Sequence, residues 1–203
     1  MPLQNRVSPF GELFASAARG TFMGNRGGRI HDQAQRLGAR RWASKQWICC
    51  VLDFKNRHRT VWGDSYTELF FLDEVTALAA GHRPCFECRR RDAIAFAECW
   101  GRADGRKPSA PEMDATLHLQ RLDGRAQRLH RMRLRDLPDG AMITRDGNAY
   151  AVRGDALLFW SPSGYGKRGP RRNDETAFVL TPPAIMNVLS GGYQPRWHPS
   201  AVE

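Results

Sequence analysis

Cys85 and Cys88 stand three residues apart in the run Gly81-His-Arg-Pro-Cys85-Phe-Glu-Cys88-Arg-Arg-Arg91, behind a proline and ahead of three arginines. Two thiols at that spacing on a tight turn supply half of a tetrahedral zinc site. The arginines lower thiol pKa and attract phosphate. A third ligand must come from upstream, where Cys49 and Cys50 are adjacent in a strand-like run. Neighbouring strand residues point to opposite faces, so one faces a metal and one packs elsewhere. Alternation with Ile48 and Leu52 favours Cys50, although the same pattern suits a buried core thiol. His31, in a Gly/Arg loop and followed by Asp32, leads as fourth ligand, with His82 and His58 behind it. The competing reading is a structural or redox pair, but a redox pair belongs in a thioredoxin-like βαβ pattern that the sequence lacks.

The elements that must position these thiols are short. Trp47 to Phe54 reads as a strand, Asn56-Arg-His58 as a turn and Arg59 to Trp62 as its return. Asp73 caps a helix whose Val75, Leu78 and Ala79 recur at helical spacing until Gly81 stops it beside the cysteines. Asp92 to Trp100 gives a second helix, and Gly101 to Pro111 a polar linker. Leu117 to Leu134 alternates apolar and basic residues. Three strands at 141–144, 149–152 and 156–160, with turns at Asp146-Gly147 and Gly154-Asp155, form an antiparallel meander. Thr181 and Pro182 open a last helix. The segment from Phe178 to Pro195 repeats the cap, helix, glycine and proline order of Phe71 to Pro84, as a degenerate duplication or as common helix punctuation. The expected fold is α+β. A zinc-stabilised N-terminal module over 1–105 carries a basic Gly/Arg loop, and a β-rich antiparallel module over 112–203 carries the terminal helix.

Charge narrows the partner. The chain has 31 Lys+Arg against 21 Asp+Glu, a formal +10, and only Lys45, Lys55, Lys107 and Lys167 are lysines. Arginine dominance fits phosphate and base recognition, although coding bias produces the same excess. Ten basic and two acidic residues lie between Arg19 and Arg59, interleaved with Phe22, Trp42 and Trp47. Arg19, Arg26, Arg29, Arg40, Arg41 and Lys45 form the first expected nucleic-acid surface. Arg89 and Arg90 follow the knuckle, and Lys167, Arg168, Arg171 and Arg172 form a second basic loop after Tyr165. Trp47 reads as core, and Cys99 beside Trp100 likewise. No stretch approaches the ~20 apolar residues of a membrane span, and five cysteines make no paired framework, so a soluble cytoplasmic protein is expected.

The run Ala-Leu-Ala-Ala-Gly81-His-Arg-Pro-Cys85-Phe-Glu-Cys88 resembles the second half of the zinc domain of the adaptive-response (Ada) methylphosphotriester DNA repair proteins. There a helix ends in a Gly-x-Arg-Pro-Cys-x-x-Cys knuckle, four cysteines hold zinc, and one accepts a methyl group from the DNA backbone. The resemblance covers a tenth to a quarter of the chain and carries over to Cys85 and Cys88. That family's first Cys-x-x-x-Cys pair has no counterpart beyond Cys49-Cys50, which leaves the accepting thiolate unassigned. The resemblance implies a zinc-stabilised DNA-binding fold with a role in the damage response.

Three function classes follow: a zinc-dependent nucleic-acid binder, with DNA ahead of RNA; an enzyme on DNA, either a zinc-thiolate methyl acceptor or a nuclease; and a metal-stabilised interaction module. The nuclease would draw on His31-Asp32, Asp53, Glu68, Asp73 and Glu74, which no recognised spacing joins. No nucleophile elbow, phosphate loop or dinucleotide fingerprint is present.

Overall fold

The computed structural model describes residues 1–57 and 60–201, and within them the chain is α+β. Its first sheet is mixed. In chain order its strands are β1 (Arg6–Val7), β2 (Leu13–Phe14), β3 (Phe22–Arg26), β4 (Trp47–Cys50), β5 (Leu69–Phe71) and, after helix α1 (Glu74–Ala79), β6 (Arg83–Pro84). The spatial order is β2-β1-β5-β3-β4-β6, with β1 parallel to β5 and β4 parallel to β6. Strand β3 lies in the segment expected as a loop, and Gly24 shows why glycine there does not mean flexibility. A β-carbon at Gly24 would stand 2.1 Å from the Ile48 carbonyl oxygen and 2.8 Å from the Phe71 ring. The glycine permits close approach of neighbouring strands rather than a turn.

Alternation along β4 buries Trp47 and Cys49 in the interior and turns Ile48 and Cys50 to the other face. Helix α1 begins where the sequence placed it: Asp73 Oδ1 accepts from the Thr76 amide at 2.8 Å, and every residue of α1 is buried. Gly81, at φ +78°, ends the turn in a conformation that L side chains resist. The chain then forms β6, the Cys85–Cys88 knuckle, and α2 (Arg90–Asp104), longer at both ends than expected.

Helix α3 (Ala110–Arg121) departs further from the sequence reading, which gave 101–111 to a linker and 117–134 to an alternating segment. Its start is a cap: Glu112 Oε2 accepts from the Ser109 amide and hydroxyl, both at 2.7 Å. The alternating segment divides into the end of α3, a hairpin of β7 (Leu122–Asp123) and β8 (Ala126–Gln127), and β9 (His130–Arg133).

The second sheet is wholly antiparallel. Strands β10 (Met142–Arg145), β11 (Asn148–Arg153) and β12 (Ala156–Ser161) form the expected meander, joined by β13 (Gly164–Pro170) and β14 (Thr176–Val179) in the order β13-β12-β11-β10-β14-β9. At the first turn Asp146 and Gly147 sit at φ +51° and +74°, the left-handed pair a tight hairpin requires. Strand β13 occupies the expected basic loop, because β12 offers it a ladder and Tyr165 packs inward.

Helix α4 (Pro183–Ser190) closes the fold. Its cap is Pro182 rather than Thr181, whose hydroxyl instead accepts from the Met142 amide at 2.9 Å and ties the helix to the second sheet. Leu78, Phe96, Trp100, Met113, Leu117, Ile185 and Val188 form one helical core. That core draws on both segments expected as modules.

Candidate metal centre

Cys50 closes β4, and Cys85 follows the end of β6, which runs parallel beside it. The Cys85 amide extends the ladder by donating to the Cys49 carbonyl at 3.0 Å. Cys88 completes the knuckle, and the sulfurs of Cys50, Cys85 and Cys88 all lie within 4.8 Å of one another. Those three thiols could hold a metal ion. The donor set is soft, as zinc coordination wants, and part of the surrounding shell is present: the Glu87 amide points at Cys85 Sγ from 3.4 Å.

The triad shares its protons unequally. Contacts from the Cys50 and Cys88 thiols, helped by backbone amides, hold Cys85 well below the ordinary thiol range. Contact with Cys85 pushes Cys50 far up. For Cys88 the contact with Cys50 lowers the pKa, but Cys85 and burial outweigh it and raise the thiol. The three thiols are thus in mutual contact with unequal proton affinities, and a metal ion bound there would displace their protons.

Cys49, on the opposite face of β4, is fully buried, and burial raises its thiol. Arg89 reaches its sulfur at 3.4 Å while pairing with Glu74 at 2.8 Å and Asp92 at 2.7 Å. Glu74 also accepts from Tyr193 Oη at 2.6 Å and from the Arg196 amide at 2.9 Å. This buried network fixes the first turn of α2 and hence the knuckle.

The expected histidine does not join the sulfurs. His31 is buried elsewhere, with Nδ1 2.6 Å from Thr67 Oγ1, Nε2 3.0 Å from the Gly63 carbonyl, and its ring stacked on Trp62 at 5.2 Å. Both nitrogens are occupied, and its role is to pin the loop. His82 packs between Trp47 and Phe71, and burial, then the nearby Arg26 and Arg121 charges, lowers its pKa well below that of a free imidazole. His58 and Arg59 lie outside the described residues. The three sulfurs instead line a pocket of about 370 Å³ that also takes in Phe54, Tyr66 and Glu68. Glu68 is buried; Oε2 accepts from the Trp62 amide at 2.8 Å, and Oε1 has no partner. The sequence offered Glu68 only as one of several scattered acids.

Those acids do not converge: among the described residues no group of three or more metal-ligating side chains contains a carboxylate. Asp73 is committed to Thr76, to Tyr165 Oη at 2.9 Å and to the His198 amide at 3.0 Å, while Asp32 is exposed.

The expected basic surface divides in two. Arg19, Arg40, Arg41, Lys45, Arg90, Lys167, Arg168 and Arg172 are exposed, the last 3.4 Å from Glu175. Arg29 is half-buried, donating to the His31 carbonyl at 3.3 Å. Arg26 and Arg89 are buried, and half-buried Arg171 is committed to backbone carbonyls. Arg26 is buried against Trp47, Arg89 sits in its carboxylate network, and Arg171 donates to the Leu137 and Gly154 carbonyls at 2.7 and 3.1 Å. An arginine counted from sequence as a phosphate ligand is as readily spent on backbone carbonyls.

No protein-family model, curated protein or solved structure matches the chain. Among the described residues no helix is long and apolar enough to cross a membrane.

Proposed function

We propose that Cys50, Cys85 and Cys88 bind zinc and that the protein is a zinc-dependent nucleic-acid binder, with DNA the preferred partner and a role in the damage response. The observation that carries the metal half is the convergence of three sulfurs from two strands and a knuckle within 4.8 Å. The nucleic-acid half draws support from the net +10 and from the exposed cations Arg40, Arg41 and Lys45 around half-buried Trp42. Zinc, when bound, would supply cross-linking of β4 to the knuckle. The chain's own part is to present the thiolates, hold them with the Glu87 amide, and brace the knuckle through Arg89. Binding to duplex, single-stranded DNA and RNA across a salt series tests the reading. Affinity should fall with salt as released counterions dictate. Absent or salt-insensitive binding to all three overturns it.

A second reading is favoured by the pocket over the sulfurs. A metal held by these three sulfurs alone would have room for an exchangeable fourth ligand, as in sites that are not purely structural. A thiolate of the triad could then attack a methyl group on a phosphotriester: the S–C bond forms, the C–O bond breaks, and the phosphodiester leaves with the electron pair. Intact mass after incubation with methylated DNA should show one methyl increment, and its absence in metal-loaded protein ends this reading.

A further inference from the structure

On another face of the first sheet, two buried guanidiniums sandwich one indole. The Arg26 guanidinium lies 3.9 Å and that of Arg121 3.7 Å from the Trp47 ring. Arg26 is 2 % and Arg121 0 % exposed. Arg121 donates to the Gly81 and Lys45 carbonyls at 2.9 and 2.8 Å, and Arg26 to the Gly11 carbonyl at 2.8 Å. Carbonyls satisfy donors but do not neutralise charge. Asp114 is committed to Arg83 at 2.7 Å, and among the described residues none of Arg26, Arg41, Arg121 and Arg125 forms an ion pair. Burial depresses both buried cations, Arg26 to about 9 with help from the neighbouring Arg41 charge, and Arg121 to about 8 with repulsion from Arg26 outweighing the attraction of Asp114. Two buried like charges without an ion pair of their own are costly unless something anionic arrives.

The site for it is open. A pocket of about 610 Å³ is lined by Arg26, Arg41 and Arg125, by Trp42 and Trp47, and by one carboxylate, Glu12. Trp47 Nε1, buried in that wall, has no hydrogen-bond partner. Guanidinium forks and an unsatisfied N–H suit the oxygens of a phosphate, and the aromatic walls suit a planar ring. The volume falls within the range of small-ligand sites.

We propose that this pocket binds a nucleoside phosphate, either free or at the 5′ end of a nucleic-acid strand, with Arg41 and Arg125 holding the phosphate over the Arg26–Trp47–Arg121 stack. The assignment stands apart from the thiol cluster and rests on the nucleic-acid reading only where the ligand is a strand end.

Titration calorimetry of the full chain tests it, with adenosine 5′-monophosphate, adenosine, and short single-stranded oligonucleotides with and without a 5′-phosphate. The monophosphate should bind at least about ten-fold tighter than the nucleoside. Arg41→Ala and Arg125→Ala, both at exposed positions, should each weaken it by about ten-fold, the scale of one charge-assisted hydrogen bond. Unchanged melting curves show that these variants fold, and Arg125→Lys should retain part of the affinity. Binding of both the monophosphate and the 5′-phosphorylated strand assigns the strand end; binding of the monophosphate alone assigns a free nucleotide. Absence of monophosphate binding, or affinity untouched by both alanine variants, overturns the proposal. If the unphosphorylated strand then still binds wild type and variants equally, the pocket falls while the nucleic-acid reading survives.

Discussion

Replacing Arg89 by methionine tests whether a buried ion network holds the knuckle. The side chains of Arg89 and Glu74 are 1 % and 0 % exposed and 2.8 Å apart. Arg89 also lies 4.7 Å over the Phe22 ring. Removing one partner of a buried pair strands the other charge, at about 3–5 kcal/mol. Glu74 would keep Tyr193 Oη and the Arg196 amide, and Asp92 would keep Arg196 at 3.3 Å, which places the expected loss near the lower end, about 3 kcal/mol. That leaves most domains of this size folded. Adding Glu74→Gln removes the stranded charge, so the double variant should be more stable than Arg89→Met alone by about 1 kcal/mol or more, a non-additivity expected of residues in contact. Urea denaturation followed by circular dichroism measures Arg89→Met, Glu74→Gln and the double variant. A loss below about 1 kcal/mol for Arg89→Met, or strict additivity in the pair, would mean that the ion network does not brace the knuckle.

Three further outcomes are expected. Gly24→Ala should destabilise the first sheet by about 1–3 kcal/mol or more, because the new methyl meets the Ile48 carbonyl; a neutral effect in chemical denaturation would remove the close-approach argument. Glu112 should titrate in the folded protein at about 2, against 4.5 ordinarily, held down first by Arg106 and then by the Ser109 amide. Its stabilising contribution is therefore complete above about pH 4.5 and is lost as pH falls toward 2, and an NMR titration placing it near 4.5 would contradict the cap. Zinc added at 100 times its Kd should stabilise the chain by about 2.7 kcal/mol, a shift that a chelator reverses in a thermal melt; no response would count against a folded-state site.

What the residues disclosed depended on how local the cause was. Asp73 and the apolar spacing behind it announce α1 because cap and helix lie within one turn. Strand alternation favours Cys50 over Cys49 without deciding between a ligand and a core thiol, and the structure turns Cys50 to the cluster and Cys49 to Arg89. The parallel pairing of β4 with β6, which brings the sulfurs together, joins residues more than thirty apart and leaves no local mark. His31 beside Asp32 looked like an oriented ligand, yet its partners Thr67 and Gly63 lie far along the chain. Strands β3 and β13 were masked by glycine and arginine, which signal loops by composition but here serve close packing and an edge. Helix α3 does carry a local start signal, Ser109-x-x-Glu112 with Pro111, which the surrounding Gly/Pro/Lys/Arg residues obscure.

Whether Cys50, Cys85 and Cys88 act as one metal centre is decided by elemental analysis of purified wild type, Cys50→Ser, Cys88→Ser and Cys49→Ser. One zinc per chain in wild type and in Cys49→Ser, with loss in Cys50→Ser and Cys88→Ser, is the expected result. A wild-type chain purified in zinc-containing medium without metal, or metal lost with Cys49 and kept without Cys50, would contradict the account.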